Sequence, residues 1–151
     1  MKVTYIKLQN VNSKYEIDFS ELESEIINLM SKSKTFSVEG GLYFTNTPDD
    51  SDLEYTEMVI FSDNYFLSNF IKITEKYLNI YEALDITREV KLDTFNNDFF
   101  IEKFKSDDSN VNDVYQLERF LELNITSDDI LDKINLFGIE SITEEEKMLL
   151  K

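Results

Sequence analysis

The stretch Glu54-Tyr55-Thr56-Glu57-Met58-Val59-Ile60-Phe61-Ser62 decides the fold of this 151-residue chain. Its aromatic and β-branched residues are typical of a β-strand. The four apolar residues Met58–Phe61 follow one another without a polar residue, so neither face of the strand is suited to water. We therefore predict that this strand is central in a sheet and buried on both faces.

Weaker patterns elsewhere in the chain predict further strands. Residues 2–9 and 14–18 are rich in Val, Tyr, Ile and Phe, and the turn residues 10–13 separate them, which predicts a pair of strands. Residues 86–95 alternate between apolar and polar side chains, which predicts a last strand.

A hairpin is predicted over residues 35–46. With Glu39-Gly40-Gly41 as a three-residue loop, one side of the hairpin is wholly apolar and a glycine is free to take positive φ. A two-residue loop would place the apolar residues of its two strands on opposite faces. The residues expected to face each other on the apolar side are Phe36 with Phe44 and Val38 with Leu42.

Capping residues and helical spacing predict two helices among these strands. Ser20–Glu23 matches a capping box at the start of a helix over about residues 21–32. The side chains expected to point inward from that helix are Leu22, Ile26 and Leu29. Asp63 is expected to cap a second helix that extends to about residue 81.

Beyond residue 96 every predicted element is helical. The helices cover 98–105, 113–123, a stretch from Thr126 or Ser127 to Gly138, and a last stretch opened by the capping box Thr143–Glu146. The predicted fold is α+β: an antiparallel sheet of about five to six strands packed against helices, with a helical C-terminal third. We expect one domain over 1–151, with the sheet and two helices in 1–96 and the helical part in 97–151.

Missing residue types exclude most familiar reaction chemistries. The chain has no His and no Cys. It therefore has no Ser-His-Asp or Cys-His centre, no tetrahedral zinc site of the usual kind, no haem or iron–sulfur ligation and no disulfide. Its three glycines cannot build a phosphate-binding loop. We expect neither an enzyme nor a bound cofactor.

Acidic residues dominate the charge. The chain has 31 Asp and Glu against 15 Lys and Arg, a formal net charge of −16. Direct binding to nucleic acid needs Lys and Arg, and anionic lipid repels such a chain, so neither nucleic acid nor a membrane is the expected partner. An acidic field attracts basic surfaces, which makes a basic protein the expected partner, although the same charge also serves solubility.

Hydropathy predicts a cytoplasmic protein. The N-terminus alternates apolar and polar residues, unlike a secretory signal, and no apolar run approaches the roughly 20 residues that span a bilayer. The segment Ile130–Lys147 resembles a helix, glycine, Ser-Leu-Thr, helix segment at the C-terminus of diverse bacterial proteins, including some rhomboid-like ones. It departs from that pattern in having Ile142 where leucine is usual. The resemblance implies a bacterial source and carries no chemistry.

Two acidic stretches space oxygen ligands as a metal-binding loop would. They are Asp50, Asp52 and Glu54, and Asp108, Asn110 and Asn112. An EF-hand loop requires Gly at its sixth position and Glu at its twelfth, and neither stretch has them. We expect solvated turns and no metal site.

Acids and tyrosines are the candidate contacts for a basic partner. Tyr43 and Tyr55 fall opposite the apolar side of the predicted hairpin, where they either are exposed or cover a second layer. Carboxylates raise the rate of encounter with a basic protein, while aromatic rings prolong the complex. The predicted partner-binding residues are Asp49, Asp50, Asp52, Glu54, Tyr43, Tyr55, Asp107 and Asp108.

The sequence thus predicts an acidic binding protein of the immunity or inhibitor type. It would neutralise a basic toxin, above all a nuclease, by covering the substrate surface. Two alternatives stay open: a phage-type mimic of nucleic acid that inhibits a defence nuclease, and a non-enzymatic scaffold domain that binds a peptide or small ligand through an aromatic face. A divalent-metal carboxylate enzyme ranks lowest.

Overall fold

The computed structural model describes residues 1–9, 19–45 and 55–151. Its contacts divide the chain into two compact units, Met1–Ile86 and Thr87–Lys151. Within the described ranges, no helix is both long enough and apolar enough to cross a membrane.

The first unit is built on an antiparallel sheet. Its strands are β1 (Lys2–Gln9), β2 (Gly41–Phe44), β3 (Tyr55–Ser62) and β4 (Asn79–Asp85), in the order β2-β3-β1-β4. β3 is central, and all four residues of Met58–Phe61 are buried, as predicted. The α+β class is confirmed, but the described residues hold four strands rather than five to six.

Three helices cover one face of this sheet. They are α1 (Phe19–Lys32), α2 (Lys34–Glu39) and α3 (Asn64–Thr74). On α1, Leu22 and Leu29 are buried and Ile26 packs against the core, which confirms the predicted inward side. The buried core between helices and sheet comprises Ile6, Leu8, Leu29, Phe36, Met58, Ile60, Phe66 and Phe70.

The predicted hairpin over 35–46 is wrong in its first half. Those residues belong to the helix α2, because the Ser33 hydroxyl accepts the Phe36 N–H and caps the helix. The Phe36 ring stacks on Phe66 with 3.9 Å between ring centroids instead of facing Phe44. Val38 is exposed and does not face a strand partner. An alternation of four residues is too short to overrule a cap and a core contact.

Other predicted boundaries also move. α1 begins at Phe19, so Ser20 lies inside the helix and is not its cap. α3 is capped by Asp63 as predicted but ends at Thr74, because the chain then turns into strand β4. The predicted strand over 86–95 is wrong, since Thr87–Lys91 form a helix. The predicted strand over 14–18 lies outside the described residues.

The second unit is helical, and its helices beyond residue 96 lie where helices were predicted, whereas the helix Thr87–Lys91 replaces part of a predicted strand. Its elements are α4 (Thr87–Lys91), α5 (Asp98–Phe104), α6 (Val111–Asn124), α7 (Ser127–Phe137), a 3-10 turn (Ile139–Ser141) and α8 (Glu144–Leu149). Thr126 and Thr143 open α7 and α8 with complete capping boxes. Gly138 ends α7 with φ of 88°, a conformation that favours glycine.

Two lysines reinforce these capping boxes. Asp129 accepts the Thr126 N–H at 2.8 Å and the Lys91 ammonium at 2.9 Å. Glu146 likewise accepts the Thr143 N–H at 2.7 Å and the Lys133 ammonium at 3.0 Å. Each carboxylate therefore serves the start of its own helix and an ion pair at the same time.

Replacing Gly40 with alanine should destabilise the first unit. A Cβ at this position would overlap the ring of Phe36, which α2 contributes to the core and which stacks on Phe66. We expect Gly40→Ala to lower the free energy of unfolding by about 1–3 kcal/mol in a denaturant titration. Thr35→Ala, on the exposed side of the same helix, is the control. Equal stability of the two variants would contradict the close packing at Gly40.

Asp129 should make the second unit sensitive to acid. Burial acts to raise the pKa of its carboxyl, but hydrogen bonds from Lys91 and Thr126 outweigh burial and lower that pKa. Because the pKa of this carboxyl is lower in the folded than in the unfolded state, its ionised form stabilises the fold fully at pH values above the unfolded pKa of about 4. This stabilisation is lost as the pH falls through the folded-state pKa. We expect Asp129→Asn to cost about 1 kcal/mol at neutral pH.

The loss of stability caused by Asp129→Asn should disappear at acid pH. The difference in melting temperature between Asp129→Asn and the unaltered chain should shrink as the pH drops below about 4. Asp128→Asn removes an exposed neighbouring acid from the same first turn and is the matched control. A difference for Asp129→Asn that persists unchanged at low pH would refute the role of its ionised form.

Candidate functional site

The sheet has a second face, opposite the one that α1, α2 and α3 cover. On β1, alternate residues from Val3 to Gln9 point to it. The strand register pairs Lys7 with Glu57 and Gln9 with Tyr55, and it pairs Tyr43 with Val59. Tyr43 and Tyr55 therefore lie on the same face, away from the helix-covered core.

Tyr55 is the centre of a group of side chains on this face. Its ring lies 5.0 Å from that of Tyr81 on β4, between ring centroids, and the Lys7 ammonium lies 5.1 Å from the Tyr55 centroid. Glu57 and Glu82 occupy the cross-strand positions on either side of Lys7. We call these five residues the Tyr55 cluster.

The cluster combines an exposed ring with an excess of acid. Tyr81 is 62% exposed, whereas Tyr55 is half-buried. Two glutamates flank the single lysine of the cluster. The Glu57 carboxylate is held by the Tyr5 hydroxyl, which donates to its Oε1 at 2.6 Å. Because Tyr5 is buried, this hydrogen bond fixes Glu57 in place relative to the sheet.

This arrangement is suited to binding a cation. An ammonium or guanidinium group binds to the face of a tyrosine ring, and more strongly when a carboxylate lies nearby. The Lys7 ammonium already sits over Tyr55 in this way. Tyr81 presents a second ring of the same kind to solvent beside Glu82.

Of the predicted site residues that the structure describes, only Tyr55 belongs to the Tyr55 cluster. Tyr43 pairs with Val59, which lies four residues along β3 from Tyr55, and at roughly 3.4 Å per residue this separation is about 14 Å. Its ring instead packs edge-on against Phe61, with 6.0 Å between ring centroids. Asp107 and Asp108 are exposed between α5 and α6, in the second unit.

The remaining predicted contacts lie outside the described residues. They are Asp49, Asp50, Asp52 and Glu54, which the sequence places between Thr45 and Tyr55. In the described part of the chain, no group of three or more acidic side chains is arranged to hold a metal ion. Asn110 of the second acidic stretch is occupied as a cap, since its side chain accepts the Asn112 N–H at the start of α6.

Sequence reasoning missed the residues contributed by β4. Tyr81 and Glu82 fell at and beyond the end of a helix predicted to run to about residue 81, but they belong to a strand. The apolar residues Ile80 and Leu84, set among polar ones, were the available signal. Lys7 could have been found from its opposite-charge pairing with Glu57 once β1 and β3 are aligned.

Tyr81 should be replaceable without loss of stability. Because its ring is mostly exposed, we expect Tyr81→Thr, which keeps a strand-forming residue, to change the free energy of unfolding by less than about 0.5 kcal/mol. Tyr5→Thr, on the same face but buried, should cost several times more. Equal losses in a denaturant titration would mean that the Tyr81 ring is a structural element and not an available surface.

Comparisons with known proteins do not indicate a function for this chain. No family model matches this chain, and no similar curated protein or solved structure was found. The chemistry of the Tyr55 cluster and the charge of the chain are therefore the basis for a functional proposal.

Proposed function

We propose that this protein is an acidic inhibitor of the immunity type, which binds a basic protein in the bacterial cytoplasm and neutralises it by covering its substrate surface. The partner we favour is a toxin nuclease. The observation that carries the proposal is the Tyr55 cluster, where an exposed ring lies beside an excess of carboxylates.

Lys7 provides an internal model for how the partner would bind. Its ammonium sits over the Tyr55 ring while glutamates occupy the neighbouring strands. A lysine or arginine of the partner would occupy the corresponding place over Tyr81, with Glu82 beside it. Aromatic residues that become buried in this way carry much of the binding energy of protein interfaces.

We also include in the proposal the acids that the sequence places between β2 and β3. Glu54 directly precedes Tyr55 in the chain, and Asp49, Asp50 and Asp52 lie within six residues of it. We assign to these four acids the steering of the partner towards the cluster. Asp107 and Asp108 are assigned a secondary role at the rim, and Tyr43 a supporting role on the same sheet face.

A nuclease suits this surface because its own substrate site must be basic. Proteins that bind nucleic acid neutralise phosphates with Lys and Arg. A chain of net charge −16 is attracted to such a site from a distance and excludes the nucleic acid once bound.

Charge reversal between β2 and β3 should slow binding. The partner is first captured from the native cell and purified, and association and dissociation rates are then measured at increasing salt. Replacing Asp49, Asp50, Asp52 and Glu54 by Lys should lower the association rate at low salt by about ten-fold or more, with a smaller change in dissociation. Tyr81→Thr should act the other way, mainly raising the dissociation rate.

The matched control changes the same amount of charge elsewhere. Lysines replace four exposed acids outside the proposed surface, namely Glu21, Glu23, Glu75 and Glu89. An equal decrease in the association rate with both sets of substitutions would show that net charge alone attracts the partner, and it would contradict the proposed surface. A captured partner whose catalytic activity is unchanged in the complex would refute inhibition.

A further inference from the structure

The second unit contains a cavity of about 220 Å³ whose lining differs from the rest of this acidic chain. We propose that it binds a small amphipathic carboxylate, with an apolar body in the cavity and its carboxylate at Lys105. This site is independent of the Tyr55 cluster, which belongs to the first unit.

The floor of the cavity is apolar and partly aromatic. Phe95 and Phe100 meet edge-on, with 5.3 Å between ring centroids, and Leu117, Leu121 and Ile125 complete the wall. An apolar cavity of about 150 Å³ is enough for benzene. The larger cavity here suits an apolar body of roughly eight to ten heavy atoms.

The polar side of the cavity is formed by ion pairs. Three lysines line it, and each is paired with one carboxylate: Lys91 with Asp129, Lys105 with Asp93 and Lys133 with Glu146. The chain as a whole has twice as many acids as bases. The polar side of the cavity therefore repels a ligand carboxylate less than the rest of the chain does, and the apolar wall suits a hydrocarbon body.

Two of these lysines form ion pairs with carboxylates that cap the starts of helices. Lys91 and Lys133 are each largely buried and bind the capping carboxylates Asp129 and Glu146 at 2.9 and 3.0 Å. Moving either ammonium would leave a capping carboxylate without its ion-pair partner. These pairs therefore set the shape of the site and do not bind the ligand directly.

Lys105 is placed differently. It pairs with Asp93, whose side chain is 61% exposed, so water can replace the ammonium there at low cost. Burial, together with the charge of Lys133, lowers the pKa of Lys105. A ligand carboxylate beside Lys105 would take the place of Asp93 as its counter-charge and would favour the protonated form.

Octanoate is the probe that tests the site. The full chain is titrated with octanoate, 1-octanol and octylamine, with calorimetry for affinity and amide chemical shifts for location. We expect octanoate to bind at least about ten-fold more tightly than either control and to shift the amides of Phe100, Lys105 and Leu121.

Two variants test separately the contribution of the Lys105 charge and that of the cavity volume to binding. Lys105→Met keeps the apolar stem and should weaken octanoate about ten-fold while leaving 1-octanol unchanged. Leu121→Phe fills the cavity and should weaken both. Lys103→Met, on α5 two residues before Lys105 and outside the cavity lining, is the matched control and should bind octanoate as the unaltered chain does.

Three results would overturn the proposal. One is the absence of shifts at these amides with millimolar octanoate. Another is octanoate affinity that Lys105→Met and Lys103→Met reduce equally. The third is tighter binding of octylamine than of octanoate, which would assign the cavity to cations held by Asp93 and Glu146.

Discussion

Burial of β3 on both of its faces is the constraint on which the first unit depends. One face, with Met58 and Ile60, completes the core under α1, α2 and α3, while Val59 and Phe61 are buried on the other. The backbone N–H and C=O groups of such a buried strand must also be hydrogen-bonded along both of its edges, and β1 and β2 occupy these places. The strand order leaves β4 at an edge of the sheet, and on this strand Tyr81 is exposed.

The second unit buries two lysines although the chain has few basic residues. With 15 basic residues against 31 acidic ones, most acids in the chain cannot have a basic partner of their own. Lys91 and Lys133 are nevertheless largely buried, each against a carboxylate that also caps a helix. Placing a cation where a capping carboxylate is already fixed costs little additional ordering, because the capping box has already restricted that side chain.

The two proposed sites select ligands of opposite charge. The Tyr55 cluster offers a ring and two glutamates, and so selects a cationic group on a large partner. The cavity of the second unit offers an apolar wall and a lysine, and so selects a small anion. They share no residue, so the result at one site does not decide the other.

The sequence by itself determined those elements whose signal is local. Residues 2–9 form a strand with the predicted bounds, and the caps at Asp63, Thr126 and Thr143 and the stop at Gly138 are where the sequence places them. A capping side chain bonds to its own helix, and a run such as Met58–Phe61 is unsuited to water in any fold, so neither requires knowledge of distant residues.

Tertiary structure decided two short elements that the sequence did not predict. Lys34–Glu39 is a helix because the stack of Phe36 on Phe66 adds to its cap at Ser33, and Asn79–Asp85 is a strand because β1 offers it an edge. The local preferences of these two segments are too weak to select a conformation, so contacts with distant residues select it. Tyr55 could therefore be placed in a strand from the sequence, whereas the strand of Tyr81 depended on the edge that β1 offers.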